Sequence, residues 1–278
     1  MALTVFQEEI LRLLAHNRVV NAESYVAGGL ALNYTLSTPR LSRDIDIFHD
    51  SKAAMVHSWE MDRDTLVKNG FEVKPLRILE YFIEAEVSKD ARRMEIQWGT
   101  DSAYRFFPLQ PDPVVGFTLH PLDLAANKLS ALVGRTEPRD WIDVITAIRE
   151  LQPLACLLFS VACGKDPGFS PTSMLEYVAR RHYNQVEIDE KIIPKGTYDA
   201  AALCRFWHEE VERTRSILEC FPRAEAGKAV MTKDGKLFKG DAEALKSALA
   251  AGELEFHEGT IGGARPGRDR GGEGRDRD

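Results

Sequence analysis

The chain has 278 residues, 44% hydrophobic and 28% charged, with a formal charge of −7. This is the make-up of a globular protein long enough for two packed units, and the acidic balance argues against a broad nucleic-acid-coating surface while leaving room for a local basic patch. No apolar run reaches bilayer-spanning length, and Cys156, Cys163, Cys204 and Cys220 form no C-x-x-C pair and lack histidines at zinc-finger spacing, so they read as ordinary thiols on apolar helix faces.

In chain order, Val5, Phe6, Ile10, Leu13 and Leu14 recur at helical spacing and predict a helix over 4–18 with Thr4 as N-cap. Glu8 and Glu9 break any resemblance to a secretory signal, so a cytoplasmic location is expected. A short strand over 25–27 enters Gly28-Gly29, which opens a helix over 29–36, ended by Ser37-Thr38-Pro39. A strand over 45–48 and a helix over 52–68 follow, the latter closed by Asn69-Gly70. Residues 71–79, 81–87 and 92–98 are strand candidates in one antiparallel-leaning sheet, with a turn at 88–90, and 114–119 forms another short strand.

Beyond Pro121 the pattern is helical. Segments 121–134, 138–151 and 153–163 each open on a proline suited to a first helical turn, and 172–183 and 199–219 continue the run. Residues 230–238, VMTKDGKLF, carry a hairpin signal, then a helix over 241–251 and a strand over 253–257. Residues 261–278 are Gly-rich with alternating charge and no apolar anchor, and are expected to be a disordered, mainly passive tail. The expected layout is α+β: a head with a mixed sheet over 1–120, a helical domain over 121–222, a small α/β subdomain over 223–260, and the tail.

The chemistry concentrates in residues 26–48. Asp44 and Asp46, two apart on a strand, aim both carboxylates to one face while Ile45 and Ile47 turn to the core. Carboxylates that close repel unless a cation sits between them, and hard oxygen donors of this kind suit Mg²⁺. Gly28-Gly29 lets the backbone approach a phosphate and presents helix N-terminal N–H groups to it. An isolated Asp-x-Asp is common on solvent-facing strands, and an isolated Gly-Gly usually marks a turn. The order of the two, in a strand–turn–helix–strand context, is what singles them out. Farther on, Lys128 and Arg135 share one edge of a predicted helix, and Asp140 and Asp143 stand three apart at the start of the next.

Arg40, Ser42, Asp44 and Asp46 stand as R-x-S-x-D-I-D, and residues 128–144 read KLSALVGRTEPRDWIDV. With the glycine pair, these motifs resemble the DNA polymerase β-like nucleotidyltransferase superfamily, and within it the AbiEii/AbiGii-type toxins, over roughly residues 20–150. The resemblance implies Mg²⁺-dependent transfer of a nucleoside monophosphate from an NTP to an acceptor. Asp44 and Asp46 would hold the metal, joined by a third carboxylate from a neighbouring strand. Glu95 is the first candidate for that place, with Glu84 and Glu86 competing. Lys128 would contact the triphosphate, with Gly28, Gly29, Arg40 and Ser42 also binding nucleotide. One of Asp140 and Asp143 would be needed for activity, Asp140 being the better motif match. Arg135 and Arg139 would hold phosphate or pair with those acids. The resemblance also implies a tRNA 3′ end as acceptor, reached through a basic patch near Arg180-Arg181-His182 or Arg92-Arg93, and a cognate antitoxin as partner, with no membrane. Two other readings stay open: transfer to a small molecule of aminoglycoside type or to a protein side chain, and a non-catalytic nucleotide-binding module.

Overall fold

The computed structural model describes residues 3–21 and 23–266. The first half runs α1 (Val5–Val20), β1 (Ser24–Ala27), α2 (Gly28–Thr35), β2 (Asp44–His49), α3 (Lys52–Lys68), β3 (Glu72–Leu79), β4 (Phe82–Lys89), β5 (Arg92–Thr100), β6 (Tyr104–Arg105), β7 (Gln110–Asp112) and β8 (Gly116–Thr118). The second half runs α4 (Pro121–Gly134), α5 (Pro138–Glu150), α6 (Ala155–Lys165), α7 (Pro171–Val178), α8 (Gln185–Lys191), α9 (Ala200–Leu218), β9 (Ala229–Thr232), α10 (Ala242–Ala251), β10 (Leu254–His257) and β11 (Thr260–Ile261). Among the described residues no helix is long and apolar enough to cross a membrane.

Seven strands form a mixed sheet in the order β3-β4-β5-β2-β1-β8-β7. The β2/β5 and β1/β8 pairs are parallel and the others antiparallel. Strand β1 is buried along its whole length, as a central strand must be, whereas β2 alternates with Ile45, Ile47 and His49 inward. That alternation leaves Asp44 and Asp46 on the opposite face. Helix α1 starts at a capping box between Thr4 and Gln7, and its face of Phe6, Ile10, Leu11 and Leu14 packs into the head's core with Trp59, Leu66 and Trp98.

Several local expectations shift. The turn expected at 88–90 lies at Asp90-Ala91, because Ser88 and Lys89 stay in the ladder opposite Arg93 and Arg92, and Asp90 takes the left-handed backbone (φ 57°) that aspartate tolerates. Helix α7 stops at Val178 rather than at 183, and α8, which was not expected, starts from an Asn184–Glu187 capping box. In 230–238 only β9 forms a strand. Its partner is β10, while Leu237 makes a single bridge to Met231.

The tail expected from 261 is tied down at its start. Strand β11 pairs with β6, and the amides of Gly262 and Ala264 donate to the carbonyls of Ala103 and Phe106. Residues 267–278 of that tail lie outside the described residues.

Among the described residues, buried apolar side chains gather in three clusters. One fills the head beneath the sheet. A second joins α4–α9 around Trp141 and Trp207, and a third packs Phe238 and Leu245 against Leu154 and Leu157 at α6. Helix α4 is buried over most of its surface, and Asn33 at the end of α2 reaches Asp143 on α5. The acid-bearing face of the sheet therefore looks onto the first two helices of the second half.

Candidate active site

Strand β1 turns directly into α2 at Gly28, whose φ of 68° is left-handed. A Cβ at this position would overlap the Asp46 carboxylate, so glycine is required twice over, by backbone and by space. Helix α2 has no side-chain N-cap, which leaves its first N–H groups facing this turn. A Cβ on Gly29 would lie 2.6 Å from Arg40 Nη2 and 3.5 Å from Lys128 Nζ. The glycine pair thus touches Asp46 through its first residue and the cations through its second.

Asp44 and Asp46 project from β2 into a cavity of about 170 Å³, bordered also by Gly29, Arg40, Ser42, Gln97, Lys128, Arg135, Arg139 and Asp140. Ser42 Oγ donates to Asp44 Oδ1 at 2.8 Å, and its own carbonyl accepts from Gln7 Nε2 at 2.8 Å. The serine expected beside the phosphate therefore orients a carboxylate. The Asp46 carboxyl is raised to about 6, first by burial and then by the Asp44 charge, against the pull of Lys128, Arg135 and Arg139. A buried, mutually repelling carboxylate pair that opens onto a polar cavity fits a divalent cation, and Mg²⁺ commonly takes one or two carboxylates plus phosphate oxygens.

The cations are held from behind. Arg40 makes a two-pronged buried bridge to Asp143, Nε to Oδ1 at 2.9 Å and Nη2 to Oδ2 at 2.8 Å. Asn33 Nδ2 donates to Asp143 Oδ1 and to the Gly29 carbonyl, and Thr38 in turn donates to Asn33. Lys128 Nζ lies 3.1 Å from Asp140 and 3.3 Å from Asp143. Arg135 Nε is 2.6 Å from Asp140 Oδ2. Burial would push the Asp140 carboxyl up, but the hydrogen bond from Arg135 and the Lys128 charge outweigh it and hold it below the usual carboxylate range. Both acids of the Arg-Asp block are thus in the site, on different duties: Asp143 fixes Arg40, Asp140 fixes Arg135, and they share Lys128.

Glu95 is placed differently from the expectation. It stands on the acid face, in register with Asp44, but is exposed. The position in register with Asp46 is Gln97, and it is Gln97 that borders the cavity. Among the described residues no three His, Cys, Asp or Glu side chains come together to hold an ion. Glu84 is bonded to Gln97. Sequence reasoning missed Gln97, although it shares the period-2 face of Glu95, and missed Asn33, which sits one helical turn after Gly29.

A larger cleft of about 610 Å³ adjoins the first, and the two share Asp46, Gln97, Lys128 and Arg135. Its far walls carry Phe48, Tyr104, Leu124 and Asn127, with Lys165 donating to Asn127 Oδ1 at 2.8 Å. At the rim, Arg135 is exposed and Arg139 half-buried, and Arg181 Nη1 donates to Thr136 Oγ1 at 2.6 Å. Of the two basic patches expected, the one at Arg180–His182 therefore adjoins the cavity loop. Arg92 is instead engaged by Glu9 and Asp90.

A family model described as the nucleotidyl transferase AbiEii toxin of type IV toxin–antitoxin systems matches residues 12–165. Two Helicobacter pylori structures share the fold. A provisionally assigned nucleotidyltransferase is 14% identical, with 78% of this chain and 96% of that one covered (TM-score 0.54). JHP933 is 15% identical, with 78% and 93% covered (TM-score 0.53). The nucleotidyltransferase toxin MenT4 of Mycobacterium tuberculosis superposes more loosely, at 15% identity, 76% and 82% coverage and a TM-score of 0.46. No curated protein matches the chain.

Proposed function

The chain belongs to the AbiEii family of type IV toxin nucleotidyltransferases, and on that footing we propose that it moves a nucleoside monophosphate from an Mg²⁺-bound NTP to the 3′ end of a tRNA. The observation that carries this reading is the convergence, around one small polar cavity, of Gly29, the Asp44/Asp46 pair against which Gly28 is packed, and three cations locked by Asp140 and Asp143.

Asp44 and Asp46 would hold the metal, which when bound offsets charge on the transferred phosphoryl group and eases loss of the acceptor's proton. The Gly28-Gly29 turn lets the triphosphate approach the backbone and the start of α2. Lys128 supplies a compact positive charge, and Arg135, whose Nε and Nη2 are held by Asp140, supplies its remaining Nη1 edge and its charge, both already oriented before substrate arrives. Arg40 is committed to Asp143, so its part is to shape the pocket beside Gly29. The acceptor hydroxyl oxygen bonds to the α-phosphorus, the bond to the bridging oxygen breaks, and pyrophosphate leaves. The larger cleft, with Tyr104 and Phe48 on its walls, has the size and surface for a nucleoside. The rim arginines offer a local cationic approach for an RNA backbone on an otherwise acidic protein. A type IV toxin also implies a cognate antitoxin partner.

The test is to incubate the protein with Mg²⁺, each α-labelled NTP and a mixture of total tRNA, protein and aminoglycoside, then to fractionate the label. Label in tRNA supports the proposal. Label only in protein or drug keeps the chemistry and replaces the acceptor.

A further inference from the structure

Gln97 on β5 stands between two acids. In register it faces Asp46 on β2 and Glu84 on β4, which flank β5 on opposite sides. Its Nε2 donates to Glu84 Oε1 at 3.1 Å, and Arg77 Nη2 lies 3.7 Å from the other Glu84 oxygen. A carboxylate only accepts, so this contact decides which end of the amide is which. The donor end is turned to β4. The side-chain carbonyl oxygen of Gln97 accepts no hydrogen bond among the described residues, and the half-buried residue borders both cavities together with Asp46. A carboxamide carbonyl is a hard, neutral oxygen donor of the class Mg²⁺ and Mn²⁺ take.

We propose that Gln97 is the third protein oxygen donor of the metal site, and that Glu84 is the positioning residue that holds its carbonyl toward Asp46. This rests on the metal-dependent reading above. The consequence is specific. A neutral third donor gives the ion two carboxylate ligands instead of three. The ion is then held weakly until triphosphate oxygens complete its shell, which ties metal loading to nucleotide arrival.

The experiment is a Mn²⁺ titration of the full chain, read by electron paramagnetic resonance of the free ion, with and without an NTP analogue whose α,β-bridge is methylene. Wild type is expected to bind Mn²⁺ at least tenfold more tightly with the analogue. With the analogue present, Gln97→Ala should weaken Mn²⁺ binding by more than tenfold and Glu84→Gln by about tenfold, the low end of the effect of removing a ligand-orienting group. Gln97→Glu should gain binding in the absence of nucleotide. Wild-type titrations from Gln97→Ala and Gln97→Glu, while Asp46→Asn loses Mn²⁺, would overturn the role of Gln97 alone. Wild-type Mn²⁺ binding by Asp46→Asn would overturn the acid-pair reading and this inference with it.

Discussion

At the scale of the residue, the site depends on Gly28 and Asp46 occupying adjoining space. Gly28→Ala adds a Cβ into the Asp46 carboxylate at a left-handed φ. We expect a stability cost of about 1–3 kcal/mol and loss of transfer, measured by urea unfolding and label incorporation. Gly29→Ala keeps an ordinary backbone but puts a Cβ 2.6 Å from Arg40 Nη2, an atom held in the buried bridge to Asp143, so its cost should come through loosening that bridge. Asp46 gives a pH test. With no metal bound its carboxyl titrates at about 6 against an ordinary 3.8, so the folded state holds the proton more tightly than the unfolded chain. Its ionised form therefore costs stability, and that cost grows as pH rises from 3.8 through 6 and stays constant above. In EDTA, Asp46→Asn should be more stable than wild type by about 1–2 kcal/mol near pH 8, the half-buried setting moderating the shift. Near pH 3.5 the advantage should vanish, and an equal difference at both pH values would contradict the shift. The acid pair and the glycines were legible because strand period and left-handed turns are local properties. Gln97 was not. Period 2 puts Glu95 and Gln97 on one face, and only the register of β5 against β2 decides which of them borders the cavity.

At the scale of the element, the loop between α2 and β2 is bound to α4 and α5 by charge. Arg40 and Asp143 are both nearly water-free, so removing either strands its partner. Arg40→Ala or Asp143→Ala should cost about 3–5 kcal/mol, and a double-mutant cycle should return a strong coupling. Additive losses would show that the bridge is not the unit. Asp140→Asn keeps its shape and one acceptor, so it should lower transfer more than stability, by loosening Lys128 and Arg135. The helices themselves were largely readable, since Pro121 and Pro138 mark starts and the apolar spacing marks lengths. That Asp140 and Asp143 both serve was not readable, because the three-residue spacing gives a shared side but not the partner each finds there.

At the scale of the whole molecule, the C-terminal segment closes onto the part of the chain that walls the larger cleft. β11 pairs with β6, His257 Nε2 lies 2.7 Å from the Phe106 carbonyl, and Gly259 approaches Tyr104. A chain ended at Gly252 would lose β10 and β11 and leave β9 without its ladder. It should unfold at a lower urea concentration, and a midpoint equal to that of the full chain would show that the segment adds nothing. Two-residue strands such as β6 and β11 carry no period, which is why this closure could not be read from the sequence. The central claim is that the β2 acid pair drives nucleotidyl transfer, and single-turnover transfer of labelled nucleotide by wild type, Asp44→Asn and Asp46→Asn tests it most directly, with thermal melting of each. The account predicts folded variants, Asp46→Asn at least as stable as wild type near pH 8, with transfer reduced at least a hundredfold. Folded variants that transfer at the wild-type rate would contradict it.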